Sequence, residues 1–242
     1  MAMPLPRALV ALATAAWLVA VTPATAGGGA VFESRAVGAF DRIDLDGPAD
    51  LVFTSGDRHA VVVEAEPALQ ARIRVRTAGG RLHFDYGAAP LQTRHALRFH
   101  VSAPRLDALS TRGSGDAHLG PMAPPAFTLA AEGSGDVHLE AIDTARLSIA
   151  HQGAGDLRVT GRCGRLAVAA DESGELDLAR LACDEASIHL DGSGDARAQV
   201  RERLDATLSG SGDLIVIGRP QVAARTLGVG ELRFEAAPAG AR

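Results

Sequence analysis

Gly133-Ser134-Gly135-Asp136 is the stretch that decides the fold, because the same tetrapeptide, intact or altered, recurs to the end of the chain. From the first copy to the last, successive copies begin 20, 20, 19, 20, 18 and 18 residues apart. The other copies are Gly113-Ser114-Gly115-Asp116, Gly153-Ala154-Gly155-Asp156, Glu172-Ser173-Gly174-Glu175, Gly192-Ser193-Gly194-Asp195, Gly210-Ser211-Gly212-Asp213 and Gly228-Val229-Gly230-Glu231. Self-similarity at a nearly fixed period indicates a repeat architecture.

Apolar residues alternate on both sides of each tetrapeptide. Phe127 and Leu129 precede the copy at Gly133, and Val137 and Leu139 follow it. A period of two places these side chains on one face, the inside of the molecule. Each repeat is therefore predicted to hold two short strands and two turns, the second turn near 143–145, with no helix.

Two all-β architectures fit this pattern. If each repeat goes once around an axis, equivalent strands pair in parallel and the chain is a β-solenoid with coils of about 20 residues. If the tetrapeptides close antiparallel hairpins, the chain is a meander, barrel or propeller. The solenoid is favoured because matching positions keep their character through many repeats.

The N-terminal third is less regular. Gly47-Pro48-Ala49-Asp50 is a degenerate copy of the turn, and 66 residues separate it from the copy at Gly113. That spacing is no multiple of 20, so this part is predicted to form an irregular cap, as the end of a solenoid requires.

An export signal is predicted at the start of the chain. Arg7 supplies a positive start, Ala8 to Val21 an apolar run, and Ala24-Thr25-Ala26 a cleavage site. No later run is long enough to span a bilayer, so we expect no transmembrane span and a location in the periplasm or at the cell surface. The predicted organisation is a signal peptide (1–26), a flexible leader (27–30), one solenoid domain (31–235; irregular 31–105, regular 106–235) and a disordered tail (236–242).

Composition excludes one class of partner. The formal net charge is −5, and every basic residue except histidine is arginine. An acidic protein without a basic run is a poor candidate for nucleic-acid binding.

The two cysteines, Cys163 and Cys183, are 20 residues apart, which is one repeat. Stacked coils would place them about 4.8 Å apart, within disulfide reach, and an exported compartment is oxidising. A disulfide between adjacent coils is therefore predicted. The alternative is a pair of reduced thiols packed as small apolar residues; two cysteines alone do not make a zinc site.

Stacking would also align the acidic residue that ends each turn into a column. Its members are Asp116, Asp136, Asp156, Glu175, Asp195, Asp213 and Glu231. Like charges about 4.8 Å apart repel by about 0.9 kcal/mol in water and about 3.5 kcal/mol at an effective dielectric constant of 20, so something must offset the repulsion.

Two offsets are considered for this column. A neighbouring cationic column is formed by the residues two positions on, which are His118, His138, Arg158, Arg197 and Arg233. The sharper hypothesis is that the carboxylates, with Asp116, Asp136, Asp156, Asp195 and Asp213 as the candidate ligands, hold divalent cations such as calcium. His118 and His138 are interpreted as solvated partners of their aspartates, and inward-facing His151 as a satisfied or rim histidine.

Taken together, these motifs resemble a known bacterial family, the auto-transporter adhesin head GIN domain, a domain of unknown function. The resemblance is carried by Phe40-Asp41-Arg42-Ile43-Asp44-Leu45 before the Gly47 turn, by Ser55-Gly56-Asp57 and by the later tetrapeptides. It covers about residues 31 to 235 and implies a right-handed parallel β-helix exported to the cell envelope, with no catalytic residues to carry over. Glu172 and Val229 depart from the turn motif, so their repeats are expected to be distorted.

Three functions are considered. The first is a non-catalytic envelope module for binding or adhesion, whose faces contact a glycan or protein. The second is a structural or regulatory periplasmic protein that acts by self-association as a homo-oligomer or by contact with another envelope protein. The third, a β-helix lyase or hydrolase, is disfavoured because no carboxylate cluster stands out and no catalytic motif is present. The sequence therefore predicts neither enzymatic activity nor a cofactor, with calcium as the exception to be tested.

Overall fold

The structure, a computed structural model, describes residues 29–87 and 97–236. The signal peptide, residues 27 and 28 of the leader and residues 237–242 of the tail, all predicted above, lie outside the described residues. Within the described part the elements are β1 (Val31–Arg35), β2 (Arg42–Gly47), β3 (Asp50–Ser55), β4 (Ala60–Ala65), α1 (Pro67–Gln70), β5 (Arg74–Ala78), β6 (Arg81–Asp85), β7 (Arg98–Ala103), β8 (Ala108–Gly113), β9 (Ala117–Leu119), β10 (Ala126–Gly133), β11 (Val137–Gly153), β12 (Leu157–Glu172), β13 (Leu176–Gly192), β14 (Ala196–Leu208), β15 (Leu214–Ile217), β16 (Gln221–Thr226) and β17 (Leu232–Glu235).

Every strand pair between β8 and β17 is parallel and joins equivalent positions of successive repeats. Gly133, for example, pairs with Gly113 on one side and Gly153 on the other. Side chains that recur in the sequence are therefore neighbours in space. This confirms the β-solenoid and excludes the hairpin alternatives for the repeat region.

The prediction of two short strands per repeat is wrong for the central coils. β11 and β13 each run for 17 residues without a break. Within β11 the inward alternation is interrupted twice, where Glu140 and Ala141, and then Ala145 and Arg146, are both exposed. Each such coil thus has three inward-facing runs, and the predicted second turn is a bend inside a continuous strand.

A backbone irregularity makes the first of these bends. The pairing register between β11 and β12 shifts between Leu139 and Ile142. Ala141 adopts a φ of 49°, and its N–H donates to Thr160 Oγ1 on the next coil at 3.0 Å. A bulge of this kind turns a strand without a glycine or proline, so no residue in β11 marks the bend in advance.

The N-terminal end of the solenoid is covered by antiparallel strands. β4 lies between β1 and β7 and is antiparallel to both, while β5 and β6 form a hairpin at Gly79 and Gly80. Gln70 in α1 is buried, and its Nε2 donates to the carbonyl oxygens of Val31 (2.8 Å) and Val63 (2.9 Å). These bonds tie β1 and β4 to α1 over the end of the core.

The degenerate turn at Gly47 belongs to the first coil. Gly47 pairs with Gly113, and Leu51 pairs with Ala117, so this turn stacks directly beneath the regular ones. In the described part of the segment between these two turns, β4 and β5 pair antiparallel with their neighbours, while β6 and β7 pair in parallel with β2 and β3.

The solenoid interior is filled mainly by leucine, isoleucine, valine, phenylalanine and alanine. The predicted disulfide between Cys163 and Cys183 is present, with the Cα atoms 4.5 Å apart and both residues buried. It joins β12 to β13 at positions that are register partners.

The C-terminal end of the described chain has no such cover. Val222 in β16 is 42% exposed and Phe234 in β17 is 51% exposed, although their register partners Leu204 and Val216 are buried. One edge of each of these two strands has no strand partner among the described residues. Across all of the described residues, no helix has the length and apolar character to cross a membrane.

Candidate functional site

In the turn at Gly133, the two glycines differ in backbone conformation. Gly133 has a φ of +127°, which a residue with a side chain rarely adopts. Gly135 does not have a positive φ, but a Cβ there would lie 2.1 Å from the carbonyl oxygen of Gly115. The second glycine is therefore required by the close stacking of turns and not, as the motif suggested, by a left-handed backbone.

The acidic residues of the turns form a carboxylate ladder, with Asp50 of the first coil as an additional member that the sequence did not assign to it. Most members accept a hydrogen bond on one side-chain oxygen from the backbone N–H of the next member. Asp116 Oδ1 accepts from Asp136 N–H at 2.9 Å, and Asp136 Oδ1 accepts from Asp156 N–H at 2.8 Å. The same bond joins Asp50 to Asp116, Asp156 to Glu175, Asp195 to Asp213, and Asp213 to Glu231.

Each bond of the ladder satisfies an N–H and brings a partial positive charge to a carboxylate, so it offsets part of the repulsion within the column. Among the described residues the chain of bonds is interrupted once, between Glu175 and Asp195. There the carboxylate of Glu175 contacts the guanidinium of Arg197 instead. The ladder thus connects adjacent coils, which gives the motif aspartate a structural role.

The arginines of the predicted cationic column do pair with acids. Arg158 Nε donates to Asp177 Oδ2 of the next coil at 2.9 Å, and Arg233 Nη2 lies 3.2 Å from Asp213 Oδ2 and 2.8 Å from Glu231 Oε2. Both arginines are about half exposed, so each pair contributes only a fraction of a kcal/mol.

The histidines of that column behave differently from the prediction. The rings of His118 and His138 lie against each other, with centroids 5.0 Å apart. Within the described residues neither forms an ion pair with an aspartate, so their interpretation as aspartate partners is wrong. Rings on adjacent coils instead pack as neighbours in one row.

No group of three or more His, Cys, Asp or Glu side chains in the described ranges is close enough to hold a metal ion. The ladder presents its carboxylates singly along a line, and one oxygen of most of them is engaged by a backbone N–H. Whether this line binds calcium stays a prediction.

A buried polar pair lies inside the solenoid where the sequence placed His151 alone. His151 is 2% exposed and Glu172 5% exposed, and His151 Nδ1 contacts Glu172 Oε2. Glu172 occupies the position of the first turn glycine, as its register partners Gly153 and Gly192 show, but it lacks their positive φ. Neither side-chain oxygen of Glu172, nor Nδ1 of His151, has a hydrogen bond in the described chain. The pair is buried and forms part of the core.

The distortion expected at Glu172 and at Val229 is therefore present, because Gly228, the first glycine of the Val229 repeat, also lacks the positive φ found at Gly133 and Gly153. It extends to the turn at Gly210, which was not singled out. Turn geometry thus changes toward the C-terminal coils.

A second surface was not predicted from the sequence. It lies at the start of the strand run that leads into each turn, on the border away from the carboxylate ladder. We name it the arginine edge, formed by Arg146, Arg165, Glu185 and Arg203, which are successive register partners. Arg165 Nε donates to Glu185 Oε2 at 3.1 Å, and Arg203 Nη1 donates to Glu185 Oε1 at 3.2 Å. The signal was present in the sequence as an arginine seven residues before the turn in three repeats.

The arginine edge borders a surface groove of about 400 Å³. Small side chains of Ser148, Ala167 and Ser187 stand beside the long arginines and leave this space open. A larger groove, of about 480 Å³, is lined by Pro104, Pro121 and Met122 among others.

The charged groups of the larger groove are already paired. Its Arg105 is bonded to Asp107, and its Asp143 to Arg162. The groove at the arginine edge differs, because its Arg146 has no such partner among the described residues.

Solved structures share this fold. A crystal structure described as a putative adhesin from Bacteroides fragilis NCTC 9343 has a TM-score of 0.82 at 19% identity, covering 86% of this chain and 98% of that one. One described as a putative lipid binding protein from Parabacteroides distasonis ATCC 8503 has a TM-score of 0.69 at 20% identity, covering 86% and 97%. A third, a putative adhesin from Parabacteroides merdae ATCC 43184, has a TM-score of 0.66 at 16% identity, covering 86% and 97%.

A comparison with curated proteins found no match. The family model described as "Putative auto-transporter adhesin, head GIN domain" matches residues 39–220, which is most of the chain. With its parallel coils, stacked turns and this match, the protein belongs to the auto-transporter adhesin head GIN domain family.

Proposed function

We propose that the protein is a non-catalytic, adhesion-type binding module of the bacterial cell envelope, exported to the periplasm or the cell surface. The family and the neighbours described as adhesins support this proposal. The predicted signal peptide agrees with it. The ligand would be an envelope glycan or protein.

One observation carries the proposal, which is the in-register stacking of the coils. Stacking turns each outward position into a straight row of side chains at the strand spacing of about 4.8 Å. The row through Ser148, Ala167, Ser187 and Asp205 is one example. Such rows present a repeated chemical group to an extended partner, which suits recognition of a polymer or of another sheet.

A glycan array and an envelope extract, both probed with the intact purified protein, test the proposal. Retention of one glycan class or of one envelope protein is the expected result. Release of reducing ends from polyuronates, measured on the same preparation, would instead support a lyase or hydrolase and overturn the non-catalytic proposal. No retention on either support would also count against it.

A second candidate, self-association, is favoured by the open C-terminal end. Val222 and Phe234 are exposed there, beside strand edges with free hydrogen-bonding groups in the described chain. Exposed edges of this kind are templates for pairing with another chain, although Glu231, Arg233 and Glu235 are charged residues that oppose it.

Light scattering of the wild type and of Val222→Asp/Phe234→Asp separates this candidate from adhesion. A dimer or larger assembly that the double variant dissociates supports self-association. Phe32→Asp is the matched control, because Phe32 is also about half exposed but lies at the N-terminal end. A monomeric wild type would refute this second candidate.

A further inference from the structure

Two arginines of the arginine edge stand side by side without a carboxylate between them. Arg146 on β11 and Arg165 on β12 are register partners, so their backbones lie about one strand spacing apart. Among the described residues, the only carboxylate bonded to Arg165 is that of Glu185, which lies on the side of Arg165 away from Arg146. The guanidinium of Arg146 forms neither an ion pair nor a hydrogen bond with any described residue.

The repulsion between the guanidinium groups of Arg146 and Arg165 opposes folding, and no carboxylate lies between them to offset it. Like charges directly opposite each other on adjacent strands are destabilising. The preceding position in the same row is Ala126, which shows that an uncharged residue is accepted there. An anion held between the two guanidinium groups would remove the repulsion.

Neighbouring charges favour an anion at the arginine edge over the border of the same strand run that lies next to the turns. The opposite border of the same long strand run carries mainly acidic and amide side chains, and only one arginine. These are Asp46, Arg112, Glu132, Gln152, Asp171 and Asp191. With the carboxylate ladder beyond it, that side repels anions, so an anionic ligand would be confined to the arginine edge.

The groove is elongated along the solenoid axis. Its arginine wall spans four coils, roughly 14 Å from Arg146 to Arg203 at the usual strand spacing. Glu185 bonds both Arg165 and Arg203 and so fixes their guanidinium groups in place. Ser148 and Ser187 present hydroxyl groups on the floor. The groove also contains the carboxylates of Glu185 and Asp205. Its available positive charge is therefore concentrated at Arg146 and Arg165, which is where a linear chain of charged sugars would place a carboxylate.

We propose that the arginine edge binds a linear anionic polysaccharide that carries a carboxylate on successive residues, a polyuronate. This proposal rests on the proposed function and names its ligand class. Arginine recognises a carboxylate through two parallel N–H···O bonds, which a lone lysine cannot reproduce. Arg146 and Arg165 are about one strand spacing apart, roughly 4.8 Å, so together they can bind one carboxylate of such a chain or the carboxylates of two neighbouring sugars.

The test is calorimetric titration of the intact protein with polygalacturonate oligomers at low ionic strength. Arg146→Ala/Arg165→Ala is the test variant, and Arg112→Ala/Arg233→Ala is the control. Both remove two exposed positive charges, but the control residues lie away from the groove. Each charged hydrogen bond lost from the groove is expected to weaken binding about tenfold. The control should bind within about twofold of wild type, and removing the like-charge pair should leave the melting temperature of the test variant unchanged or higher.

Three outcomes would overturn the proposal. The first is no binding of polygalacturonate by the wild type, and the second is an equal loss in the two variants. The third is a stronger response to vesicles of anionic phospholipid or to neutral dextran than to polygalacturonate. If the glycan array or extract shows a ligand whose binding survives Arg146→Ala/Arg165→Ala, this inference fails while the proposed adhesion function stands.

Discussion

Replacing Glu172 with glycine is expected to destabilise the protein, although it restores the residue that all six other turns carry at this position. Glu172 is the contact partner of His151 in the core, and both side chains are almost completely buried. Its removal leaves the imidazole of His151 without that partner. Leaving a buried polar group without its polar neighbour costs about 1–3 kcal/mol.

The structure also shows how the loss can be reversed. In the next two coils the turn glycines Gly192 and Gly210 are preceded by inward-facing Leu190 and Leu208, whereas the coil of Glu172 has the smaller Ala170. The Glu172 side chain therefore occupies space that leucine fills elsewhere. The triple variant His151→Leu/Ala170→Leu/Glu172→Gly copies those coils. It is expected to be as stable as wild type or more stable, because replacing both members of a buried polar pair with apolar groups that fill the same space is often neutral or stabilising.

Equilibrium unfolding in urea, followed by circular dichroism at constant pH, measures both free energies of unfolding. The slope with urea concentration should stay constant, since only then does a shift of the midpoint report stability. Asp171→Gly, at the exposed neighbouring position, controls for adding a glycine to this strand and should cost about 0.5–1 kcal/mol. A Glu172→Gly variant as stable as wild type, or a triple variant no more stable than Glu172→Gly, would refute the reasoning.

Four further predictions follow from single contacts. Gly135→Ala should lower the free energy of unfolding by about 3 kcal/mol or more, because its Cβ would lie 2.1 Å from a backbone oxygen of the preceding coil; Gly120→Ala, whose Cβ would meet nothing closer than 3.5 Å, is the control. Replacing both Cys163 and Cys183 with alanine should cost about 3 kcal/mol in the same assay, and unchanged stability would contradict the chain-entropy account of this cross-link. Burial raises the pKa of Tyr86, the only tyrosine, so its contribution to stability is complete below pH about 10 and is lost as pH rises further; tyrosinate absorbance should appear late, and Tyr86→Phe should reduce the alkaline loss. If the carboxylate ladder binds calcium, titration of chelator-treated protein should release heat and raise the melting temperature, and the absence of both would end that hypothesis.

Much of the solenoid could be predicted because repetition reports which residues become neighbours. The period of the tetrapeptide placed Cys163 beside Cys183 and aligned the turn carboxylates, and both features are present. Period two on each side of the turn identified the inward face correctly. These features depend only on the length of a coil and on the alternation of side chains along a strand.

The features of the candidate site depend on which groups meet across adjacent coils, and the repeat does not encode this. In the sequence, Glu172 is only a substitution for the first glycine of the tetrapeptide. The fold shows that its side chain turns inward to His151. The donors of the carboxylate ladder come from the next coil, so one turn considered alone could not reveal them. The isolation of Arg146 beside Arg165 likewise appears only when register and side-chain direction are known together.

By itself, the sequence determined the coil length, the inward face and the cross-link, because each follows from regular spacing along one chain. Only the tertiary structure decided the antiparallel cap, the bulged corners and the charges left unpaired. These depend on how a strand bends at a single residue such as Ala141, and on which side chains meet across adjacent coils. Spacing fixes the direction of a side chain relative to the core, whereas its partners are fixed by distances in three dimensions.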